Sequence, residues 1–123
     1  MKSLGLAIVG FGAFGERYAR AFSGIAGTQI RWVIDPNTEA RTRALATGLV
    51  GKTSDRLAPA CEDPDVDAVI VATPEDAHAA PVIEALAFGK HVLVEKLHIQ
   101  LSILQFGLLA LVLDELGLMR RLY

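Results

Sequence analysis

A glycine-rich loop near the amino terminus constrains this chain more than any other feature. Gly10, Gly12 and Gly15 form a G-x-G-x-x-G pattern at the end of an apolar run and just before a helical pattern. The first glycine suits a tight strand-to-helix turn, the second close approach of backbone to a phosphate, and the third close packing of helix on strand. The free N–H groups at the start of the helix would then meet a pyrophosphate. The loop therefore predicts contacts with a dinucleotide from the three glycines and from the residues between them, Phe11, Ala13 and Phe14.

The segments on either side of the loop have the patterns that such a site needs. Residues 4–9 are a continuous apolar run, which is typical of a parallel strand buried on both faces. Residues 13–22 place apolar or small side chains at helical spacing, with charged residues between them. This context raises the weight of a motif that is weak by itself.

An acidic residue follows the second apolar run at the expected distance. Residues 30–34 end in Asp35, twenty residues beyond Gly15. A carboxylate there can accept hydrogen bonds from the adenosine ribose and would repel a 2′-phosphate, so NAD is favoured over NADP. Arg41 and Arg43 are close enough in sequence to leave NADP open. The alternative for Asp35 is a turn or helix-cap residue.

Strands and helices alternate along the chain, which predicts an α/β class: a Rossmann-type, doubly wound parallel sheet in three αβα layers. The interpretation is a single domain, with residues 1–96 as the dinucleotide-binding unit and residues 97–123 as an atypical apolar tail. The remaining predicted elements are a helix over 38–49 capped by Asn37 or Thr38, a short strand over 50–53, a helical turn over 55–61, a strand over 68–72, a helix over 75–88 stopped by Gly89, and a strand over 91–94.

Charge and cysteine usage exclude several classes of protein. The chain has 123 residues and a net charge of -2, with acids and bases interspersed, so no nucleic-acid surface is indicated. The single cysteine, Cys61, can form no internal disulfide, and no export signal precedes the first strand, so the cytoplasm is the expected location. No metal cluster is visible, and His91 and His98 are interpreted as structural.

Three stretches together resemble the Gfo/Idh/MocA family, which contains glucose-fructose oxidoreductase, inositol dehydrogenase and rhizopine-catabolism proteins. They are the loop over 10–15, the segment over 67–74 that reads Asp-Ala-Val-Ile-Val-Ala-Thr-Pro, with His78 beyond it, and the run over 89–96 that reads Gly-Lys-His-Val-Leu-Val-Glu-Lys. The resemblance covers about three quarters of the chain, residues 4 to 96.

The resemblance implies roles for five further residues. Thr73 and Pro74 would line the cofactor pocket near the nicotinamide, His78 would lie on the helix after them, and Glu95 and Lys96 would be the first two residues of the family's Glu-Lys-Pro motif. Lys96 is the expected catalytic residue, since its ammonium can hydrogen-bond the oxygen of the carbon that gives up hydride and assist its proton loss. The alternative for Lys96 is a solvated lysine at the end of a strand. The alternative for His78 is a structural residue that caps or packs its helix and does not contact the cofactor.

The chain departs from the family after Lys96. Position 97 is Leu where the motif has proline, and residues 97–103 alternate apolar and polar side chains, which favours a strand running on. The family's substrate domain is not found in this sequence. Seventeen of the last 27 residues are apolar, including the run over 108–113.

The sequence of the tail leaves three interpretations open. A membrane span needs about 20 apolar residues, and Gln105 and Asp114 interrupt this stretch. A helix over 104–122 could close the domain, and, being apolar nearly all round, it would also favour self-association as a homodimer. The dimer is preferred, and no membrane contact is expected. The third interpretation is a reading frame truncated or shifted after Lys96.

Three functions follow from these patterns. The first is a nicotinamide-dependent oxidoreductase acting on a sugar or polyol, with Lys96 at the chemistry. The second is a binding module that holds NAD(H) without a substrate site, because hydride transfer needs a shaped site and one Rossmann domain supplies half of its walls. The third is a structural dimer whose tail obstructs the pocket. The sequence favours cofactor binding with little turnover unless another chain completes the cleft.

Overall fold

Five parallel strands form one sheet in the computed structural model, which describes residues 3–74, 77 and 79–94. The elements in chain order are β1 (Leu4–Val9), α1 (Ala13–Ser23), β2 (Thr28–Ile34), α2 (Thr38–Ala46), β3 (Val50–Ser54), α3 (Ala58–Glu62), β4 (Ala68–Val71), α4 (Ala79–Ala87) and β5 (His91–Val94). The strands are ordered β3-β2-β1-β4-β5, and every pairing is parallel. The predicted α/β class and doubly wound sheet are confirmed.

Helices cover both faces of the sheet, which gives the three predicted layers. On one face, Leu6 and Ile8 of β1 pack with Tyr18 and Phe22 of α1 and with α2. On the other face, Val9 of β1 packs with α3 and α4. All six residues of β1 are buried, as the apolar run over 4–9 predicts for a central parallel strand.

The register of β2 on β1 shifts by one residue between Leu6 and Ala7. Leu6 pairs with Ile30, and Ala7 pairs with Trp32. Side chains alternate along a strand, so this irregularity turns Trp32 toward the α3 side while Val33 stays on the α1 side.

One predicted helix is wrong at its carboxyl end. The helix predicted over 38–49 ends at Ala46, because Thr47 donates its hydroxyl to the carbonyl of Ala44 and accepts from the N–H of Leu49, and Gly48 has a φ of 73°. Asn37 caps the start of that helix by accepting the N–H of Glu39, as predicted.

The helix predicted over 75–88 is described over Ala79–Ala87, after a turn in which the N–H of Ala77 donates to the carbonyl of Pro74. Pro81 falls in the first turn of the described helix, where a missing N–H costs no intrahelical bond. At the other end the N–H of Lys90 donates to Ala85 and that of Gly89 to Leu86, with Gly89 at a φ of 76°. This is a Schellman cap, and it explains the predicted glycine stop.

Candidate functional site

The predicted site residues that follow β1, β2 and β4 lie at the carboxyl edge of the sheet. β1 is followed by α1 and leads to β2 on one side, while β4 is followed by α4 and leads to β5 on the other. The chain therefore leaves β1 and β4 in opposite directions, and a crevice opens between their carboxyl ends. In open α/β sheets ligands bind at this topological switch point.

The three glycines of the loop are held there for three different reasons. Gly10 has a φ of 91°, which residues with a side chain rarely adopt. A Cβ on it would lie 3.1 Å from the carbonyl of Ala72. A Cβ on Gly15 would lie 2.0 Å from the carbonyl oxygen of Gly10, so this position requires glycine for backbone packing. A Cβ on Gly12 would meet no atom of the described residues within 4 Å. Sterics inside the protein thus account for Gly10 and Gly15, whereas Gly12 faces open space.

The amino end of α1 also faces that space. Gly12 is the N-cap residue and makes no side-chain cap hydrogen bond, so the first turn keeps backbone N–H groups and the positive end of the helix dipole for another partner. Ala13 is exposed and Phe14 is half-buried against the core, with the guanidinium of Arg17 5.7 Å from the centre of its ring.

The peptide groups of Phe11 are held by two side chains from the next βα unit. Its N–H donates to Oδ2 of Asp35 at 2.8 Å, and its carbonyl accepts from Nη2 of Arg43 at 2.5 Å. Its ring is fully buried in the core on the α1 side, so the side chain of Phe11 is not available to a ligand. These contacts fix the glycine-rich loop against the end of β2.

Asp35 has remaining capacity for a ligand. Within the described chain its carboxylate accepts from the N–H of Phe11 and, at 2.9 Å, from the N–H of Asn37. A carboxylate offers about four lone-pair sites, so two remain for hydroxyl groups. Nη1 of Arg41 donates to the carbonyl of Asp35 at 2.7 Å, and both arginines near the acid thus already hold backbone carbonyls.

Thr73 and Pro74 lie beside the glycine-rich loop. The methyl group of Thr73 is 3.1 Å from the Cβ position at Gly10, and its hydroxyl donates to the carbonyl of Ala77 at 3.2 Å. Pro74 is exposed at the same edge. The predictions for His78, Glu95 and Lys96, and for the tail over 97–123, concern positions outside the described residues.

Sequence reasoning missed the role of Arg43 on the loop. The sequence indicates only that Arg43 is near Asp35, and a contact with Phe11 across 32 positions has no local sequence signal. No group of His, Cys, Asp and Glu suited to a metal ion is found among the residues that the structure describes. Within the same part of the chain, no helix is both long and apolar enough to cross a membrane.

The geometry fits the pyrophosphate and ribose of a dinucleotide. The open Gly12, the uncapped first turn of α1 and the spare acceptors of Asp35 all border the same crevice. These groups are complementary to phosphate oxygens and ribose hydroxyls, respectively.

Comparison with known families agrees with this geometry. Residues 4–96 match the Gfo/Idh/MocA family model, described as an oxidoreductase family with an NAD-binding Rossmann fold. This chain belongs to the Gfo/Idh/MocA family. Its residues 4–96 are the NAD-binding Rossmann domain of Gfo/Idh/MocA oxidoreductases, as the motifs at 10–15, 67–74 and 89–96 indicated.

Individual Gfo/Idh/MocA relatives differ in chemistry. Inositol 2-dehydrogenase 1 of Mycolicibacterium vanbaalenii is 36% identical over 97 residues, covering 78% of this chain and 28% of that protein. The 2,7-anhydro-N-acetylneuraminate hydratase of Mediterraneibacter gnavus is 38% identical over 96 residues, covering 78% and 25%. Similar identity to a dehydrogenase and to a hydratase means that this domain does not define a substrate.

A solved Gfo/Idh/MocA structure has the same fold. The myo-inositol dehydrogenase of Lactobacillus casei, in complex with NAD(H) and myo-inositol, superposes with a TM-score of 0.71 at 27% identity, over 76% of this chain and 28% of that chain. The chain spans only 23% to 29% of the length of the first three curated relatives.

Proposed function

We propose that this chain binds NAD(H), and prefers it to NADP(H), through the glycine-rich loop and Asp35. The observation that carries the proposal is the convergence of Gly12, the uncapped start of α1 and Asp35 on one crevice at the switch point. Pyrophosphate oxygens would accept from the N–H groups after Gly12, and adenosine ribose hydroxyls would donate to the spare lone pairs of Asp35.

The preference for NAD rests on charge. A 2′-phosphate would lie close to the Asp35 carboxylate, which repels it. Arg41 and Arg43 could neutralise such a phosphate, but each already donates to a backbone carbonyl. Withdrawing them would loosen the loop and the end of β2, and this favours the dinucleotide without the extra phosphate.

Calorimetric titration with NADH and with NADPH tests this proposal. Asp35→Ala should weaken NADH binding about tenfold or more, since each hydrogen bond to a charged group is worth about 1.5–3 kcal/mol. NADPH binding should weaken less, because the variant loses the contact with Phe11 for both nucleotides but also loses the charge that repels the 2′-phosphate. Asp65→Ala is the matched control, because Asp65 is an exposed aspartate beyond the amino end of β4. Absence of binding to either nucleotide would favour the structural dimer with an obstructed pocket.

For hydride transfer, the resemblance of this chain to the family's motifs supports Lys96 as the catalytic residue. The same resemblance supports Thr73, Pro74, His78 and Glu95 as residues around the nicotinamide. Bound NAD(H) supplies a hydride acceptor or donor. Lys96 would donate a hydrogen bond to the substrate oxygen and assist its proton loss. A sugar or polyol is the proposed substrate class, and it is supported by the names of the inositol dehydrogenases among the relatives.

We expect cofactor binding without substantial turnover from this chain alone. The residues here make up one Rossmann domain, and orientation of substrate against nicotinamide needs further walls. Following NADH absorbance with a panel of sugars and polyols tests this expectation. Robust turnover that disappears in Lys96→Ala would contradict it and would favour an enzyme completed by a second copy of the chain.

The tail over 97–123 is proposed to be a packing and homodimerisation element, since 17 of its 27 residues are apolar. Sedimentation equilibrium of the full chain measures the assembly state directly. The cytoplasm is the proposed location, and it is supported by a single cysteine, Cys61, that is buried and free.

A further inference from the structure

The outward face of α4 is apolar, which is unusual for a surface helix. Ile83 and Leu86 on α4 and Phe88 just after it are 67%, 57% and 45% exposed, and we call these three residues the α4 patch. The alanines at positions 79, 80 and 87 are exposed beside them. Surface helices ordinarily carry polar residues on this side, so such a patch indicates a surface that is covered by something else.

The inward face of α4 is already packed against the core. Ala85 is completely buried and packs with half-buried Val82 in the core on the α3 side of the sheet. Within α4 the one charged residue is Glu84, which is half-buried between the two faces. A small rotation of the helix therefore cannot bury the α4 patch, because it would expose Ala85 and Val82 instead.

An apolar segment of the same chain follows β5, the strand against which α4 packs. α4 packs against β5, and β5 ends at Val94, three residues before the tail over 97–123 in the sequence. The helix is about 14 Å long, whereas 27 residues span about 40 Å even as a helix. The tail can therefore reach every residue of the α4 patch without leaving its own domain.

We propose that the α4 patch is the docking surface for residues 97–123 of the same chain. Attachment at β5 gives the tail an effective concentration on the order of millimolar, which favours it over a second molecule at ordinary protein concentrations. This inference rests on the proposed role of the tail as a packing element and identifies the surface on which it packs. It is independent of cofactor binding, because the patch lies on α4 and not at the glycine-rich loop.

Hydrogen–deuterium exchange of the full chain tests the proposal. Ile83→Glu combined with Leu86→Glu should make the backbone amides of residues 97–123 exchange about tenfold faster or more, because the tail loses its apolar contact surface. Leu45→Glu is the matched control, since Leu45 is 50% exposed on α2, on the opposite face of the sheet. The amides of β1 and β4 should stay protected in both variants, which shows that the sheet has folded.

A reciprocal variant keeps the test decisive if the double glutamate variant does not fold. Leu109→Glu combined with Leu111→Glu in the tail should speed the exchange of α4 amides and leave those of α2 unchanged. Tail exchange that does not respond to the α4 substitutions would overturn the proposal. Protection of α4 that disappears on dilution, together with dissociation in sedimentation, would also overturn it by assigning the surface to a second copy.

Discussion

The helices that follow β1 and β4 lie on opposite faces of the sheet and present opposite surfaces to solvent. α1 exposes Arg17 and Arg20, and Arg20 pairs with Glu16 one turn away at 3.1 Å. α4 exposes Ile83 and Leu86, with exposed alanines around them. Its outward face carries no charged side chain. The two helices are otherwise comparable, since each buries its inner face against the neighbouring strands.

The difference shows which helix presents a solvated surface and which presents an apolar surface that further contacts would cover. The Glu16–Arg20 pair is exposed and is worth a few tenths of a kcal/mol, so its main effect is to keep the surface of α1 solvated. The amino end of α1 is where the domain meets its cofactor in the proposed function. The outward face of α4 has no such charged pair. It is the surface on which we propose that the tail docks.

The largest expected effect sharpens the comparison at the start of α1. Gly15→Ala should lower the free energy of unfolding by about 2–4 kcal/mol, because the new Cβ would lie 2.0 Å from the carbonyl oxygen of Gly10 and backbone has to move. Urea denaturation followed by circular dichroism measures the change.

Gly12→Ala is the matched variant in the same loop. Its Cβ meets no described atom within 4 Å and its φ of -84° suits alanine, so the stability loss should stay below about 1 kcal/mol. NADH binding should nevertheless weaken about tenfold, because the methyl group fills the space proposed for the phosphates. Equal NADH affinity in Gly12→Ala and the natural chain would argue against the proposed phosphate position.

Local rules explain how much of this region was predictable from sequence. The strand over 4–9, the turn at Gly10 and the acid at Asp35 are separated by short, fixed spacings, and each carries its own chemical reason. The same holds for the Asn37 cap and the Gly89 stop, which act within one helical turn.

Contacts between distant parts of the chain explain what could not be predicted. Gly5 lies in an apolar run and carries no motif, yet a Cβ there would lie 1.7 Å from the carbonyl oxygen of Asp65, and its N–H donates to Asp67 at 2.8 Å. Arg43 reaches the carbonyl of Phe11 across 32 positions. The exposure of the α4 patch likewise depends on which side of the helix the sheet takes, and helical spacing alone leaves that open.

A smaller effect is expected at the end of α4. Gly89→Ala should lower the free energy of unfolding by about 1 kcal/mol, because Gly89 has a φ of 76° and a side chain rarely adopts that conformation. A Cβ on Gly89 meets no described atom within 4 Å, so the cost is conformational and not steric. Gly89→Asn should lose less, since asparagine tolerates the left-handed region. A loss in Gly89→Ala as large as that of Gly15→Ala would show that α4 is as tightly constrained as α1.

The smallest effect is expected on the α4 side of the sheet at low pH. The indole N–H of Trp32 donates to Asp63 at 2.9 Å, and this bond, with the N–H of Asp65, lowers the pKa of the Asp63 carboxyl below its ordinary value. A carboxyl with a lowered pKa in the folded state stabilises the fold at pH above the unfolded value of about 4, and the contribution is lost as the pH falls through the folded value.

Asp63→Asn should therefore be slightly less stable than the natural chain at pH 7 and approach it in stability below about pH 4, as measured by thermal unfolding across that range. Asp65→Asn is the control, because the side chain of Asp65 is exposed and the structure gives it no bond to Trp32. A stability difference that stays constant with pH would mean that the Asp63 charge contributes nothing and that the variant is less stable because asparagine, with one acceptor oxygen, cannot make both hydrogen bonds. In that case the contribution of Asp63 would come from the geometry of its hydrogen bonds and not from its charge.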